Sequence, residues 1–254
     1  MDRLIYTAVA ALESHNVTRA NITHSLANVS TVGFKKSMAL AETAVNVGGN
    51  ADSTRVQPRN EGKEFIDLTA GPRQTTGRKL DIAMNEETVM GVQATNGQIA
   101  FTRRGDLRVT TEGLLETGQG HAVLGDGGDP ITVPTGQALN IAPDGTIFAQ
   151  NELDPNAAPV LVGQLMLRDA SQTPLLRRQD TLFEPEALAG FGGDFETGPK
   201  AASVTSGALE GSNANPVEVM VQLMDFTRKF ESQVKIIAEM KKLDESGATM
   251  IRGS

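Results

Sequence analysis

The N-terminal stretch carries apolar side chains at helical spacing and contains no Gly or Pro over its first 30 residues. The apolar positions recur at steps of three and four residues, which places them along one side of a helix. The stripe is interrupted between Glu13 and Arg19, and Gly33 follows as a left-handed terminator. A helix with so weak a stripe is not stable alone, so we expect it to need a partner. Its apolar positions are Leu4, Ile5, Ala8, Val9, Ala11, Leu12, Ile22, Leu26, Ala27 and Val29.

The C-terminal stretch predicts a second, longer helix. Asn215 can cap it, Pro216 suits the first helical position, and Glu218 completes a capping box. Apolar residues then recur with heptad-like spacing, which favours pairing with another helix. Periodicity alone is equally compatible with a helix packed on its own domain. The stripe consists of Val219, Leu223, Phe226, Phe230, Val234, Ile237 and Met240, widened by Met220 and Met224.

Between these ends, short apolar stretches alternate with turn dipeptides. The segment 80–84 (LDIAM) alternates with period two, and Asn96-Gly97 lies between the apolar runs 89–94 and 99–102. An Asn-Gly pair in that setting is a strong hairpin signal. The pattern therefore predicts a central all-β domain of hairpins.

The chain is thus predicted to be an α+β protein in which a central all-β domain accompanies a discontinuous, coiled-coil-like helical domain made by the two ends. The Gly-rich stretches between the predicted elements are expected to be linkers. The predicted segments are an N-terminal helical segment 1–45, a linker 46–64, the β-rich domain 65–188, a linker 189–214 and the C-terminal helix 215–254, paired with the N-terminal helix.

Composition narrows the function. Aromatic residues make up only 4% of the 254 residues, which predicts a thin, aliphatic core. A net charge of −8 argues against a nucleic-acid binder, which needs a cationic face. The absence of Cys excludes disulfides, thiol nucleophiles and Cys-ligated zinc. No apolar run has the length of a secretory signal or a membrane span, so an exported protein would need a route without a cleaved signal.

The search for chemistry finds no catalytic residue, no metal site and no cofactor motif, so we expect a protein that is not an enzyme. His15 and His24 are nine residues apart and lie on opposite faces of a helix, where they cannot chelate one ion. Asp126 and Asp129 offer oxygen ligands for calcium, but the bidentate Glu of an EF-hand is absent, so a hairpin turn is the better interpretation. The basic doublet 103–104 is interpreted as a solvated face.

Two separated signatures carry a family resemblance. The segment 25–35 (SLANVSTVGFK) resembles the N-terminal pattern N-N-L-A-N-x-x-T-x-G-[FY]-[KR] of bacterial flagellar rod, hook and hook-associated proteins, with His24 and Ser25 replacing the leading Asn pair. The segment 207–218 (GALEGSNANPVE) is similar to the C-terminal stretch G-x-L-E-x-S-N-V-N-x-V-E-E-M of that family, with Val219 in place of the second Glu.

The opening and the middle of the chain support the same resemblance. The segments 1–6 (MDRLIY) and 228–235 (RKFESQVK) are most similar to the proximal-rod branch. The segment 76–84 (TGRKLDIAM) resembles the start of the family's β domain. The segment 88–92 (TVMGV) departs from it, because the family usually has an aromatic G-F-F-x-V there.

The resemblance implies a structural subunit of the flagellar basal-body rod, located in the periplasmic space. It implies that the terminal helices pair in an inner domain lining the assembled tube, and that the β domain lies outside. It also implies export through the flagellar type III machinery without a cleaved signal, and other flagellar axial proteins as partners. Neither nucleic-acid binding nor membrane insertion is expected.

Two sets of residues are predicted to form assembly interfaces, because packing between neighbouring subunits would complete the burial of the end helices. A distal-rod or hook-type axial protein, or a β-rich extracellular binding module, remains an alternative. The N-terminal set is Leu4, Ile5, Val9, Leu12, Leu26, Ala27, Asn28, Val29, Gly33 and Phe34; the C-terminal set is Asn215, Val219, Met220, Leu223, Phe226, Phe230, Val234 and Ile237.

Overall fold

The structure is a computed structural model that describes residues 2–39, 43–47, 55–59, 63–134, 136–151 and 158–252. Its helices are α1 (Asp2–Ala27) and α2 (Pro216–Arg252), with a 3₁₀ turn at Glu186–Leu188. Its strands are β1 (Ser37–Ala39), β2 (Thr43–Val47), β3 (Arg55–Arg59), β4 (Glu64–Ile66), β5 (Arg73–Thr75), β6 (Ile82–Met84), β7 (Thr88–Gln93), β8 (Ile99–Thr102), β9 (Leu107–Val109), β10 (Leu115–Thr117), β11 (Gln137–Ile141), β12 (Thr146–Asn151), β13 (Val160–Gln164), β14 (Leu167–Asp169), β15 (Leu175–Arg177), β16 (Phe183–Pro185), β17 (Val204–Ser206) and β18 (Ala208–Glu210).

The chain divides into two compact units. The helical unit contains both terminal helices and the β2–β3 hairpin, and the β unit contains the remaining strands. The helical unit is Met1–Ala27, Ala39–Lys63 and Asn215–Ser254; the β unit is Asn28–Met38 and Glu64–Ala214. None of the helices in the described ranges is both long enough and apolar enough to cross a bilayer.

The helix α2 begins at Pro216, where the sequence predicts it. The Oδ1 atom of Asn215 accepts a hydrogen bond from the Val217 amide at 3.0 Å and another from the Glu218 amide at 3.5 Å. These bonds satisfy two amides that have no partner within the helix. The cap therefore fixes the point at which the chain becomes helical.

The predicted coiled-coil-like helical domain is wrong. The described residues hold one helix at each end, and among the α2 side chains that the structure describes only Val219 and Phe226 are buried. A coiled coil buries its core positions turn after turn, whereas Phe230 is 37% exposed and Val234 46% exposed. Val234 is exposed because the apolar positions drift around the helix. Two successive steps of four residues, from Phe226 to Phe230 and on to Val234, carry the side chain about 80° around the helix.

The β unit is built on antiparallel pairing. A seven-stranded sheet has the order β1-β4-β15-β16-β8-β7-β14, and a three-stranded sheet has the order β11-β12-β13. The hairpin between β7 and β8 turns at Gly97, whose φ is +80°, as the Asn-Gly pair predicts. The core is mainly aliphatic, as the low aromatic content predicts; its largest fully buried apolar side chains are Phe101, Ile82, Met84, Met90, Leu107, Leu115, Leu124, Ile147, Leu165 and Met166.

Two segments near the predicted boundaries belong to the β unit. The range 189–214, expected to be a linker, contains β17 and β18, which pair antiparallel with β6 and β5. The range 28–38, expected within the N-terminal helical segment, also lies in this unit. Of the expected linker 46–64, β3 lies among the described residues, while 48–54 and 60–62 fall outside them.

Candidate assembly surfaces

The N-terminal set of predicted interface residues falls into two environments. Its first four members, Leu4 to Leu12, lie in α1, but their side chains fall outside the described residues. At the end of α1, Leu26 is half-buried and Ala27 exposed, and the next two residues, Asn28 and Val29, are half-buried. Gly33 and Phe34 are buried in the β unit.

The C-terminal set is likewise divided, this time between two faces of α2. One face carries Val219 and Phe226, which are buried. The ring of His15 on α1 meets Phe226 edge-on, with 5.5 Å between centroids. On the same face, Leu223 and Ile237 are half-buried. The exposed members of the set are Asn215, Met220, Phe230 and Val234.

A second apolar face of α2 is open to solvent, and we call it the outer stripe. It lies nearly opposite Val219 and Phe226, because steps of three and four residues return to one side of a helix. Contiguous exposed apolar side chains of this kind mark interaction sites. The outer stripe consists of Val217, Met220, Val221 and Met224, which are 67%, 54%, 52% and 58% exposed.

Sequence reasoning missed this second face. It treated Met220 and Met224 as widening a single stripe and left out Val217 and Val221. The signal was present as apolar residues at positions i, i+3, i+4 and i+7, starting from Val217.

The two sequence signatures meet inside the β unit. The amide of Gly33 donates to the carbonyl of Glu210 at 2.7 Å, and the amide of Asn213 donates to the carbonyl of Phe34 at 3.3 Å. The Asn213 side chain accepts from the Lys36 amide at 2.7 Å and donates to the Asp67 carbonyl at 2.9 Å. Residues at opposite ends of the sequence therefore form one joint.

The conformation of Gly33 makes this joint possible. Its φ is +68°, and a Cβ atom there would lie 2.4 Å from the carbonyl oxygen of Arg103. Both facts exclude a side chain at this position. Next to it, the Phe34 ring is covered by Arg177, whose guanidinium carbon lies 4.8 Å from the ring centroid.

A buried ion cluster of Lys35, Arg103 and Glu210 lies beneath the joint, and all three side chains have no solvent exposure. The Lys35 ammonium is 2.6 Å from Glu210 Oε1. Arg103 donates to Glu210 Oε2 from Nε at 2.9 Å and from Nη2 at 2.7 Å. The pKa of Lys35 is lowered to about 8, first by burial and then by the Arg103 charge, while Glu210 acts in the opposite direction.

The interpretation of the doublet 103–104 as a solvated face is wrong for Arg103, whose side chain has no solvent exposure. Its guanidinium also donates to the carbonyls of Met84 at 3.0 Å and Thr88 at 3.2 Å, and to that of Glu86. Arg104 instead pairs with Asp106 at 2.6 Å, at the edge of the unit. No pattern in the sequence distinguishes the two neighbours, because their environments are set by distant strands.

The other polar residues singled out in the sequence have ordinary structural roles. Asp126 forms an ion pair with Arg168 at 2.8 Å, and Arg168 also binds Asp194 at 2.7 Å. Within the described ranges, no group of three metal-ligating side chains comes together.

Comparison with known proteins identifies the family. A model described as "Flagellar hook protein FlgE/F/G D1 domain" matches residues 84–149, and one described as "Flagellar basal body rod FlgEFG protein C-terminal" matches residues 205–250. The flagellar basal-body rod protein FlgF of Salmonella typhimurium is 40% identical over 94% of this chain and 94% of its own length. The FlgF of Escherichia coli is 38% identical over the same shares. The rod protein FlgG of Bacillus subtilis is 27% identical over 93% of this chain and 94% of its own length.

The chain belongs to the flagellar basal-body rod protein family.

Proposed function

From this family membership we infer that the chain is a structural subunit of the flagellar basal-body rod, and we propose that the outer stripe of α2 contacts a neighbouring axial subunit. The rod subunit has a mechanical role and no catalytic one. The partners are other flagellar axial proteins.

The outer stripe is the observation that carries the assembly proposal. Four apolar side chains on two helical turns remain more than half exposed in the single chain. Val219 and Phe226 use the other face of the same helix within the chain. The outer stripe is therefore available to a second helix, and its length suits a helix-on-helix contact. The apolar positions of α1 that were predicted as contacts belong to the same proposal.

An aspartate in the outer stripe tests this contact. The substitution Met224→Asp places a charge at the contact, so we expect the variant to be absent from purified basal bodies and its cells to lose motility. Gln222→Asp is the matched control, since Gln222 is exposed on the same helix but lies off the stripe. Normal incorporation of the Met224→Asp chain would contradict the proposed contact.

The subunit is further proposed to occupy the proximal rod. Support comes from the higher identity to the FlgF relatives, 40% and 38%, than to the FlgG relative, 27%. Site-specific cross-linking from the outer stripe in assembled basal bodies would identify the neighbours. Cross-links exclusively to hook subunits would favour the hook-type alternative.

Export by the flagellar type III machinery, without a cleaved signal, is the proposed route to the periplasmic part of the basal body. It is supported by the resemblance of both signatures to axial proteins. Intact mass spectrometry of the chain from purified basal bodies tests it. We expect a mass that includes the N-terminal residues of α1, and a mass lacking them would overturn the proposal.

A further inference from the structure

The buried ion cluster connects three parts of the β unit that are far apart in the sequence. Lys35 comes from the segment 28–38, Arg103 follows β8, and Glu210 ends β18. Lys35 and Glu210 are 175 residues apart. A single carboxylate therefore pairs with two cations that come from different parts of the chain. The cluster has one more positive than negative charge.

The carboxylate of Glu210 accepts four hydrogen bonds. Oε1 accepts from the Lys35 ammonium at 2.6 Å and from the Gly71 amide at 2.9 Å, and Oε2 accepts twice from Arg103. A buried ion pair is strongly destabilised when one partner is removed, because the other charge is left in a medium of low polarity. Without this carboxylate, two like charges would be buried side by side.

The two cations depend on Glu210 to different degrees. Arg103 keeps the carbonyls of Met84, Thr88 and Glu86 as acceptors. Lys35 keeps the Thr69 carbonyl, at 2.6 Å, as the acceptor outside the cluster. The ammonium of Lys35 is therefore the charge that would have to return to water, and it can do so if the segment 28–38 leaves the β unit.

We propose that Glu210 is a positioning residue that makes docking of the segment 28–38 conditional on placement of β18. The N-terminal signature docks after the C-terminal signature is in position, because Lys35 cannot be buried without the carboxylate. Synthesis proceeds from the N-terminus, so Lys35 is made long before Glu210. During that interval the segment 28–38 stays undocked from the rest of the β unit. This inference concerns folding of the β unit and does not depend on the proposed place in the rod.

Hydrogen exchange of the full chain and its Glu210→Gln variant tests the inference. The amides of Gly33 and Lys36 donate to Glu210 and Asn213, so they report docking of the segment. We expect their exchange to accelerate at least about 100-fold in the variant. The amides of Leu115 and Val123, bonded to Ile131 and Leu115, report the rest of the unit and should keep their protection.

Three further variants separate the charge from other effects. Glu87→Gln neutralises a half-exposed carboxylate paired with Lys200 and should leave all four amides unchanged. Lys35→Met removes the dependent cation and should leave the segment docked, since Arg103 and Glu210 remain paired. Asn213→Ala removes hydrogen bonds between the same segments without exposing a charge. At Gly33, whose backbone acceptor is the same in both variants, it should accelerate exchange much less than Glu210→Gln; Lys36 is left out of this comparison because its amide loses its own acceptor.

Three other results of these exchange measurements would overturn the inference. Unchanged exchange at Gly33 and Lys36 in Glu210→Gln would mean that docking does not need the carboxylate. Uniform loss of protection, including Leu115, would mean that the cluster holds the whole unit and is not specific to the segment. Equal acceleration of Gly33 exchange in Asn213→Ala and Glu210→Gln would mean that the charge of Glu210 is not what docking requires.

Discussion

The β unit buries charged side chains, whereas α2 exposes apolar ones. In the β unit, Lys35, Arg103 and Glu210 have no solvent exposure, and their hydrogen bonds stay within the unit. On α2, Val217 and Met224 are more than half exposed in the single chain. The β unit therefore satisfies its buried charges within itself, whereas the apolar outer stripe of α2 stays exposed in the single chain.

Substitution of Arg103 should have the largest effect on the stability of the β unit. In Arg103→Met, the carbonyls of Met84 and Thr88 lose a donor and Glu210 keeps one cation. We expect the free energy of unfolding to fall by about 3–5 kcal/mol, measured by urea denaturation with far-ultraviolet circular dichroism. Arg108→Met is the control, because its ion pair with Glu116 is half-exposed and is worth about 1 kcal/mol at most. Equal losses in the two variants would contradict internal completion of the β unit.

A substitution at Gly33 should also destabilise the β unit, but by less than Arg103→Met. In Gly33→Ala, the new methyl group would meet the Arg103 carbonyl at 2.4 Å, and the backbone would hold a positive φ. We expect a loss of about 2–4 kcal/mol in the free energy of unfolding. Gly77→Ala is the matched control, since Gly77 has a φ of +74° but no atom within 4 Å of the added carbon. That variant should lose only about 1 kcal/mol.

The stability of the β unit should depend on pH through Lys35. The folded-state pKa of Lys35 is lowered to about 8 from 10.5, so between these values the unfolded chain binds more protons than the folded one. The free energy of unfolding should therefore rise as pH increases from about 8 towards 10, by about 1 kcal/mol per pH unit at most. Denaturant titrations at several pH values, carried out on the wild type and on Lys35→Met, measure this rise as the difference between the two pH profiles. An identical pH profile in Lys35→Met would contradict this assignment.

The smallest expected effect concerns the outer stripe. Val221→Thr keeps the shape of the side chain and changes an exposed position, so the free energy of unfolding should change by less than about 0.5 kcal/mol. Val219→Thr makes the same change on the buried face and should lose about 1–3 kcal/mol. Thermal melts of the isolated chains compare them. A larger loss for Val221→Thr would mean that the outer stripe is covered within the chain.

The sequence predicts those parts of the fold that depend on a few adjacent residues. The start of α2 follows from Asn215 and Pro216, and the β7–β8 hairpin follows from Asn96-Gly97, because capping and turn geometry depend on a few adjacent residues. The exposure of Val234 follows from its spacing, since two successive steps of four residues from Phe226 take it off the heptad positions. The exposure of Phe230 does not, because this residue keeps the heptad spacing and its burial depends on what packs nearby.

The joint between the two signatures could not be predicted from the sequence, because it depends on contacts between distant residues. Strand β18 lies in a Gly- and Asn-rich stretch typical of a linker, and its strand partner β5 is more than a hundred residues earlier in the chain. Lys35 and Glu210 each look like ordinary surface charges in the sequence. Only the tertiary fold brings them to 2.6 Å, so a resemblance to a family motif located these residues without revealing their role.

The hydrogen bond between Gly33 and Glu210 lies near two of the points where the chain enters and leaves the β unit. The chain passes from α1 into the β unit and from the β unit towards α2 at neighbouring points, 2.7 Å apart at this bond. The chain also leaves the β unit after residue 38 for the β2–β3 hairpin and returns at residue 64, so the β unit is made of two insertions. The larger one, 64–214, is continuous, and surface loops within such a segment tolerate changes of length. The surface that such a subunit presents can thus diversify, or carry a grafted reporter domain, while the two terminal helices keep their sequence.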